Sequence, residues 1–482
     1  MEKKGGQLSR GLVWSATERF ATQGIRFLIE LVLARLLFPE DFAVIGMLAI
    51  FLAISNTFID SGFSNALIQK RNRTQADFST VFYYNLLVAI LVYAVLFWGA
   101  PLIARFYDMP SLVKVTRVIG LTVIISSLSI INRTILVIRI DFKKQAVVST
   151  VSAILSGLVS IYCAYKGFSY WSLVIQQVVF SICQTALLVI LMPWHPSLIF
   201  SKESFKQLFG FGSKLLVTSL IGTIYENIYT LIIGKKYTNA ELGYYVKADQ
   251  LVRFPSTNIS NIITRVSFPL MAEKQNDQNE LINVYDSLIR LSCYIIFPLM
   301  IGLLVISKPL IVLLFTEKWV GMTLILQILC LDWMWDGVCK MNINFLMVKG
   351  RSDLVLKLEI YKRVISLTIL VISMNWGVVA ICIGRVVYSF ISVYINSFFT
   401  ARLCPELSLI KQVKMFVPSL LASLIMGLVV FGITLLPFSS MLLEVVTSLV
   451  AGVLAYWMVS VIFKFKEYKV LTNSLYRLCG KV

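Results

Sequence analysis

A set of cationic side chains stands inside stretches otherwise built from Leu, Ile, Val and Phe: Arg19, Arg26, Arg133, Arg253, Arg265, Lys340, Lys362, Arg363 and Arg385. Arg253, Lys362 and Arg363 lie close enough to the ends of their stretches to snorkel. The others are deep. A charge at the centre of an apolar span costs roughly 3 kcal/mol on the insertion scale, so these residues must face partners or a water-filled interior. The chemistry available to fixed guanidinium groups is anion binding, because the planar fork matches phosphate and carboxylate oxygens two at a time.

The neighbours of these cations repeat at helical spacing. Arg19, Gln23, Arg26 and Glu30 form one narrow stripe, stepping by four, three and four residues as one helix face requires. Gln250, Asn258, Asn261 and Arg265 share a side of a second helix, Asp332, Asp336 and Lys340 of a third, and Arg385, Tyr388, Ser392 and Asn396 of a fourth. Polar stripes on several helices predict a shared hydrophilic cavity. Arg19, Gln23, Arg26, Asn258, Asn261, Arg265 and Arg385 are therefore the candidate substrate-binding residues. Glu30, Glu226, Asp332, Asp336 and Lys340 are the candidates for gating or ion coupling. Competing readings exist for both sets. Arg19 and Arg26 could form a structural ion-pair seam with Glu30 or Glu226. Asp332, Asp336 and Lys340 are spaced to neutralise one another at i, i+4, which is the favoured reading of that trio. Asp60-Ser-Gly reads as the inner end of the second span, with a structural role.

Catalytic and cofactor chemistry find no comparable pattern. The eight cysteines form no C-x-x-C pair, and the single histidine, His195, sits in a Pro-Trp-His-Pro turn. Neither a zinc site nor a redox motif is indicated. A G-x-x-x-x-G-K-[ST] phosphate loop is lacking. The expectation is a protein that is not an enzyme and uses no cofactor, metal or nucleotide.

The elements that position these residues follow from composition. Of 482 residues, 58% are hydrophobic and 14% charged, with a mean hydropathy of +0.82; a soluble surface needs roughly 25% charged residues. Apolar runs of about 18 to 25 residues match the thickness of a bilayer. The fold class is an all-α polytopic membrane protein; a transmembrane barrel would show ~10-residue alternating segments. Fourteen spans are expected, at about 11–37, 41–66, 79–104, 115–138, 145–165, 168–192, 213–234, 250–270, 288–315, 321–347, 354–374, 376–400, 415–436 and 440–463. The first, eighth and tenth are polar and are assigned from their neighbours. Ser201 to Phe211 reads as a short amphipathic helix at the interface. A cleavable signal peptide is not expected, because the first apolar stretch is long and charged.

The net charge of +19 would suggest nucleic acid in a soluble protein. In a membrane protein the positive-inside rule explains most of it, and no nucleic-acid partner is expected. With the N-terminus placed in the cytoplasm, the loop cations concentrate on that side, as in Lys70/Arg71/Arg73, Arg139/Lys143/Lys144 and Lys464/Lys466/Lys469. Both termini are then cytoplasmic. Arg105, Lys114 and Arg117 face the wrong side and are the exception.

The second half of the chain echoes the first at an offset of about 200 to 208 residues. Pro39-Glu-Asp-Phe-Ala-Val-Ile-Gly matches Asn239-Ala-Glu-Leu-Gly-Tyr-Tyr-Val, and Pro101-Leu-Ile-Ala-Arg-Phe-Tyr matches Pro309-Leu-Ile-Val-Leu-Leu-Phe. Such a duplication predicts two six-helix lobes related by a pseudo-twofold axis, with substrate held between them. The expected lobes are 1–195 and 213–402, joined by an interfacial linker at 196–212; residues 403–482 carry two extra helices and a cytoplasmic tail.

The run Leu33-Ala-Arg-Leu-Leu-Phe-Pro-Glu-Asp-Phe-Ala-Val-Ile-Gly, followed by Phe58-Ile-Asp-Ser-Gly-Phe-Ser-Asn-Ala-Leu-Ile-Gln, resembles the opening of bacterial polysaccharide-biosynthesis flippases. These belong to the multidrug/oligosaccharidyl-lipid/polysaccharide exporter superfamily. The resemblance continues through Ile138-Arg-Ile-Asp-Phe-Lys, Gly243-Tyr-Tyr and Ser267-Phe-Pro-Leu-Met, and is greatest to the branch of colanic-acid and teichuronic-acid exporters. It implies a protein of the cytoplasmic membrane that moves a polyprenyl-diphosphate-linked oligosaccharide between leaflets by alternating access. The implied partners are that lipid-linked glycan, the bilayer and polysaccharide polymerase machinery. A lipid II-type flippase is separated only weakly by the sequence. A cation antiporter of the same fold would carry acidic rather than Arg-dominated cavity residues. A polytopic glycosyltransferase or polymerase would carry a large outer loop with catalytic groups, and none is visible.

Overall fold

The structure is a computed structural model describing residues 22–60 and 62–468. Among the described residues it is helical, without strands. The chain forms two compact units, one ending at Gly243 and the other starting at Tyr244.

In the first unit, α1 covers residues 22–36. It is followed by α2 (Pro39–Asp60), α3 (Phe63–Gln69), α4 (Gln75–Phe106), α5 (Leu112–Ser127), α6 (Ile130–Ile138), α7 (Phe142–Tyr165), α8 (Trp171–Leu191) and α9 (Lys202–Lys236). Two of the membrane-crossing stretches are broken. Between α2 and α3 the chain turns at Gly62, whose φ of +71° strains any side-chain-bearing residue. A Cβ there would also lie 2.6 Å from the carbonyl oxygen of Gly212 on α9. Between α5 and α6 the axis bends by 45°. The start of α4 is fixed by a capping box: Thr74 N–H donates to the Asp77 carboxylate at 2.8 Å, and Asp77 N–H donates to Thr74 Oγ1 at 3.3 Å.

The expected interfacial helix at 201–211 does not stand apart. It is the first third of α9, which continues unbroken to Lys236. Part of its apolar face packs on protein: Leu208 is buried and Phe205 lies 5.4 Å from Tyr84 and 6.1 Å from Phe63 between ring centroids, while Phe209 is exposed.

In the second unit, α10 (Asn239–Glu273) continues from the first unit's last residues. It is followed by α11 (Gln278–Val305), α12 (Ser307–Phe315), a 3-10 turn at Glu317–Met322, α13 (Thr323–Trp333), α14 (Asp336–Val348), α15 (Ser352–Ser373), α16 (Val378–Leu403), α17 (Leu409–Thr434) and α18 (Met441–Ile462). The core holds Tyr285, Phe297, Trp319 and Phe345, all fully buried. The trailing pair is tied to it by polar groups. Gln412 on α17 exchanges two amide hydrogen bonds with Asn342 on α14, at 3.0 and 3.1 Å, and also accepts from Ser397 Oγ at 2.9 Å. Tyr294 Oη donates to Ser460 Oγ on α18 at 2.8 Å.

One local device recurs at the repeat offset. The Phe38 N–H donates to the Asp41 carboxylate at 2.9 Å where α2 begins, and the Thr238 N–H donates to the Glu241 carboxylate at 3.0 Å where α10 begins.

Ten helical stretches among the described residues are long and apolar enough to cross a membrane, or eleven if α5 and α6 form one bent span. The expectation was fourteen. Helices α10 and α15 are long enough but too polar for that measure, carrying among others Arg265 on one and Lys357, Glu359, Lys362 and Arg363 on the other. Large apolar side chains point outward along α4 (Leu87, Leu91, Val95, Trp98) and α18 (Leu449, Val453, Trp457), as lipid-facing surfaces require.

Candidate functional site

The first unit contains an open polar cleft of about 540 Å³. Its walls come from α1, α2, α5, α6, α7 and α8, and both helix breaks border it: Asp60 ends α2, and Ser129 and Arg133 flank the start of α6. Broken helices at such a site place chain ends and charges where a continuous helix would present only its side. Among the described residues four ionisable side chains line the cleft: Arg26, Glu30, Asp60 and Arg133. They fall into two opposite-charge sets, Glu30 acting on Arg26 and Arg133 acting on Asp60. The Arg26 guanidinium also lies over the Phe180 ring, 4.4 Å from its centroid, a cation–π contact.

The remaining lining is amide and hydroxyl. Helix α8 contributes Gln176, Gln177, Ser181 and Gln184, and α2 contributes Asn56. The α8 wall is fixed to the α5–α6 break by two contacts of Thr185, whose Oγ1 donates to the Ile125 carbonyl at 3.0 Å and pairs with Ser129 Oγ at 3.1 Å. By contrast, the side chains of Asn56, Gln176, Gln177 and Gln184 have no hydrogen-bond partner among the described residues. Unspent amide capacity at membrane depth must be met by water or by a ligand.

The second unit gathers a different constellation. Arg385 on α16 donates through Nη1 to Asp249 Oδ1 and to Tyr245 Oη, each at 2.7 Å. Its Nη2 lies 2.7 Å from Asp332 Oδ2. Trp333 Nε1 donates to the same Asp249 oxygen at 3.0 Å. One guanidinium thus holds two carboxylates and a phenol, tying α10, α13 and α16 together. All three charged side chains are at most 20% exposed. Next to it, Lys340 pairs with Asp336 at 2.8 Å and donates to Asn261 Oδ1 at 3.1 Å.

The candidates read from spacing are distributed as follows. Arg19 lies outside the described residues. Arg26 and Glu30 line the first-unit cleft, while Gln23 is half-buried one turn before them. Glu226 is exposed on α9. On α10, Asn258 donates to its own helix at Phe254 O, Asn261 meets Lys340, and Arg265 is exposed. The trio expected on one stripe divides at the α13–α14 junction. Asp336 and Lys340 neutralise each other at i, i+4, and Asp332 turns instead to Arg385.

Several lining residues were absent from the candidate set: Asp60, Asn56, the α8 glutamines and Arg133, which the sequence had marked only as a deep cation needing a partner or water, together with Asp249 in the second unit. A signal existed for α8. Gln176, Gln177, Phe180, Ser181 and Gln184 recur at i, i+1, i+4, i+5 and i+8 within an otherwise apolar run, the face pattern of one helix side.

Residues 32–324 match the family described as polysaccharide biosynthesis protein. The chain is 28% identical to the teichuronic acid biosynthesis protein TuaB of Bacillus subtilis over 298 residues, which cover 61% of this chain and 62% of that relative. It is 26% identical to the lipopolysaccharide biosynthesis protein WzxC of Escherichia coli over 396 residues, 80% of each chain. Among solved structures, the lipid II flippase MurJ in its inward closed conformation matches with a TM-score of 0.76 at 16% identity, covering 95% of this chain and 100% of that one. The fold is therefore shared with MurJ.

Proposed function

The chain belongs to the polysaccharide biosynthesis protein family, and we propose that it is a flippase. Its cargo is a polyprenyl-diphosphate-linked oligosaccharide, the repeat unit of a lipopolysaccharide, exopolysaccharide or capsule. It moves this cargo across the cytoplasmic membrane by alternating access through a cationic cavity. The observation that carries this reading is the first-unit cleft: a charged, hydrogen-bonding space walled by α1, α2, α5, α6, α7 and α8 in a chain whose outer surface is apolar. Such a space suits a polar headgroup whose hydrocarbon tail stays in the bilayer. The names of the two relatives place them in polysaccharide pathways, which supports the same cargo class here.

In this reading the helices make fourteen crossings, with α2–α3, α5–α6, α11–α12 and α13–α14 each counted as one broken span. Both termini are cytoplasmic. Residues 1–195 and 213–402 are the duplicated six-helix lobes, with 196–212 joining them and α17 and α18 added after them. Arg26 and Arg265, both exposed, hold the diphosphate or acidic sugars, with Arg19, Gln23, Asn258 and Asn261 beside them. Arg385 reaches cargo only by exchanging its carboxylate partners, and Asp332 with Asp336 and Lys340 would act in that exchange. Glu30 and Glu226 compete with the cargo for the cations and so help release it. Polymerase machinery receives the product. The protein itself makes and breaks no covalent bond.

The test is export in cells that synthesise the matching lipid-linked glycan. Arg26→Ala and Arg265→Ala are expected to lower surface polysaccharide about tenfold or more at normal protein level, and Arg26→Lys to restore only part, since the forked donor geometry is lost. Wild-type export by both alanine variants contradicts the cationic-cavity reading.

A further inference from the structure

We infer that the amide wall of the first-unit cleft, Asn56 with Gln176, Gln177 and Gln184, is a subsite for an uncharged sugar of the cargo glycan, in the same cleft as the Arg26 guanidinium that the flippase reading assigns to the diphosphate. The inference rests on the flippase reading and adds which part of the cargo this cleft selects.

Charge is the first argument. The cleft holds two guanidinium groups and two carboxylates, Arg26 with Glu30 and Arg133 with Asp60. Among the described residues each cation of the cleft thus has a carboxylate of the same cleft acting on it. A diphosphate that uses Arg26 must therefore compete with Glu30 for it. A neutral polyol meets no such opposition.

Hydrogen-bonding capacity is the second argument. Asn56, Gln176, Gln177 and Gln184 present amides that no described residue satisfies. Each offers two N–H donors and a carbonyl acceptor, whereas phosphate oxygens can only accept. Sugar hydroxyls both donate and accept, so they can use both ends of these amides. The carboxylates of Asp60 and Glu30 accept from hydroxyls as well. Cleft size agrees: about 540 Å³ lies within the range of small-molecule sites.

The third argument is rigidity. Thr185 ties α8 to the α5–α6 break, and Gly62 fixes the α2–α3 break beside Asp60. The amide wall is thus held in place before cargo arrives, which lowers the ordering cost of binding.

Binding by the purified full-length protein tests this with two probes: polyprenyl diphosphate alone, and the same lipid carrying a neutral tetrasaccharide. Wild type is expected to bind the glycosylated probe about tenfold or more tightly than the bare one. The triple variant Gln176→Ala/Gln177→Ala/Gln184→Ala is expected to lose that preference while holding the bare lipid within about twofold of wild type. Gln184→Leu, which keeps side-chain volume, is expected to show a smaller loss in the same direction. Equal weakening for both probes would make the amide wall a diphosphate or structural site and overturn the inference. An unchanged preference in both variants would overturn it equally. A wild-type protein that binds neither probe would overturn the flippase reading, and the subsite with it.

Discussion

Arg385 carries more of the second unit's polar structure than its single charge suggests. It faces two carboxylates, so its removal leaves Asp249 and Asp332 close together without compensation in a poorly solvated place. Breaking a buried pair of this kind costs about 3–5 kcal/mol, whereas removing charge from both sides costs far less. Arg385→Leu is therefore expected to lower the thermal midpoint of the detergent-purified protein markedly, and adding Asp332→Asn to recover part of the loss. An unchanged midpoint in Arg385→Leu would show that the cluster contributes nothing to stability. The sequence exposed Arg385 and Asp332 as intramembrane charges, because a charge in an apolar run is visible without any structure. Their pairing was not visible. Asp249 lies 136 residues from Arg385, in a helix whose polar face had been read through Gln250 and Asn258. In the first unit the same limit applied. Arg26 and Glu30 stood out as one stripe, but Asp60 and Arg133 lie beside helix breaks and join the cleft only where the chain turns at α2–α3 and α5–α6.

Helix existence was legible from apolar run length, and helix interruption was not. The α5–α6 bend falls at Ser126-Ser-Leu-Ser129, residues that a continuous helix also tolerates. Only Gly62 gave warning of the α2–α3 break, since its positive φ is a backbone state that glycine adopts readily. The duplicated helix starts were legible as Pro39-Glu-Asp and Asn239-Ala-Glu, and the matching bonds to Asp41 and Glu241 give that motif a physical role as an N-terminal cap. Attachment of α17 combines a fully buried amide pair with apolar packing of Met426 and Val430 against Ile301 and Ile306. Gln412→Ala strips partners from Asn342, Ser397 and the Leu407 carbonyl together. Leaving buried polar groups unsatisfied costs about 1–3 kcal/mol. The variant is expected to unfold at lower temperature, and Gln412→Leu combined with Asn342→Leu to be less damaged than Gln412→Ala alone. Equal stability of Gln412→Ala and wild type would assign the attachment of α17 to apolar packing alone.

At the scale of the whole molecule, a lipid-facing exterior encloses polar, charged interiors in both units, and this contrast is what a carrier of amphipathic cargo requires. The headgroup needs hydrogen bonds and compensating charge, while its polyprenyl chain needs only lipid. Arg26, Asp60 and Arg133 open onto the first-unit cleft and Arg385 is half-buried, and each has opposite charges acting on it in its own unit, so in the flippase reading the cargo competes for groups that already have partners. That competition favours binding strong enough to select cargo and weak enough to release it. The central claim is translocation itself. The most direct measurement reconstitutes the purified protein in liposomes with a fluorescent polyprenyl-diphosphate oligosaccharide and no nucleotide. It then follows how much of the probe becomes accessible to a membrane-impermeant quencher from the opposite leaflet. The flippase account predicts probe movement well above protein-free liposomes and reduced to that background by Arg26→Ala with Arg265→Ala. Movement no faster than in protein-free liposomes, with the wild-type protein folded and inserted, would contradict it.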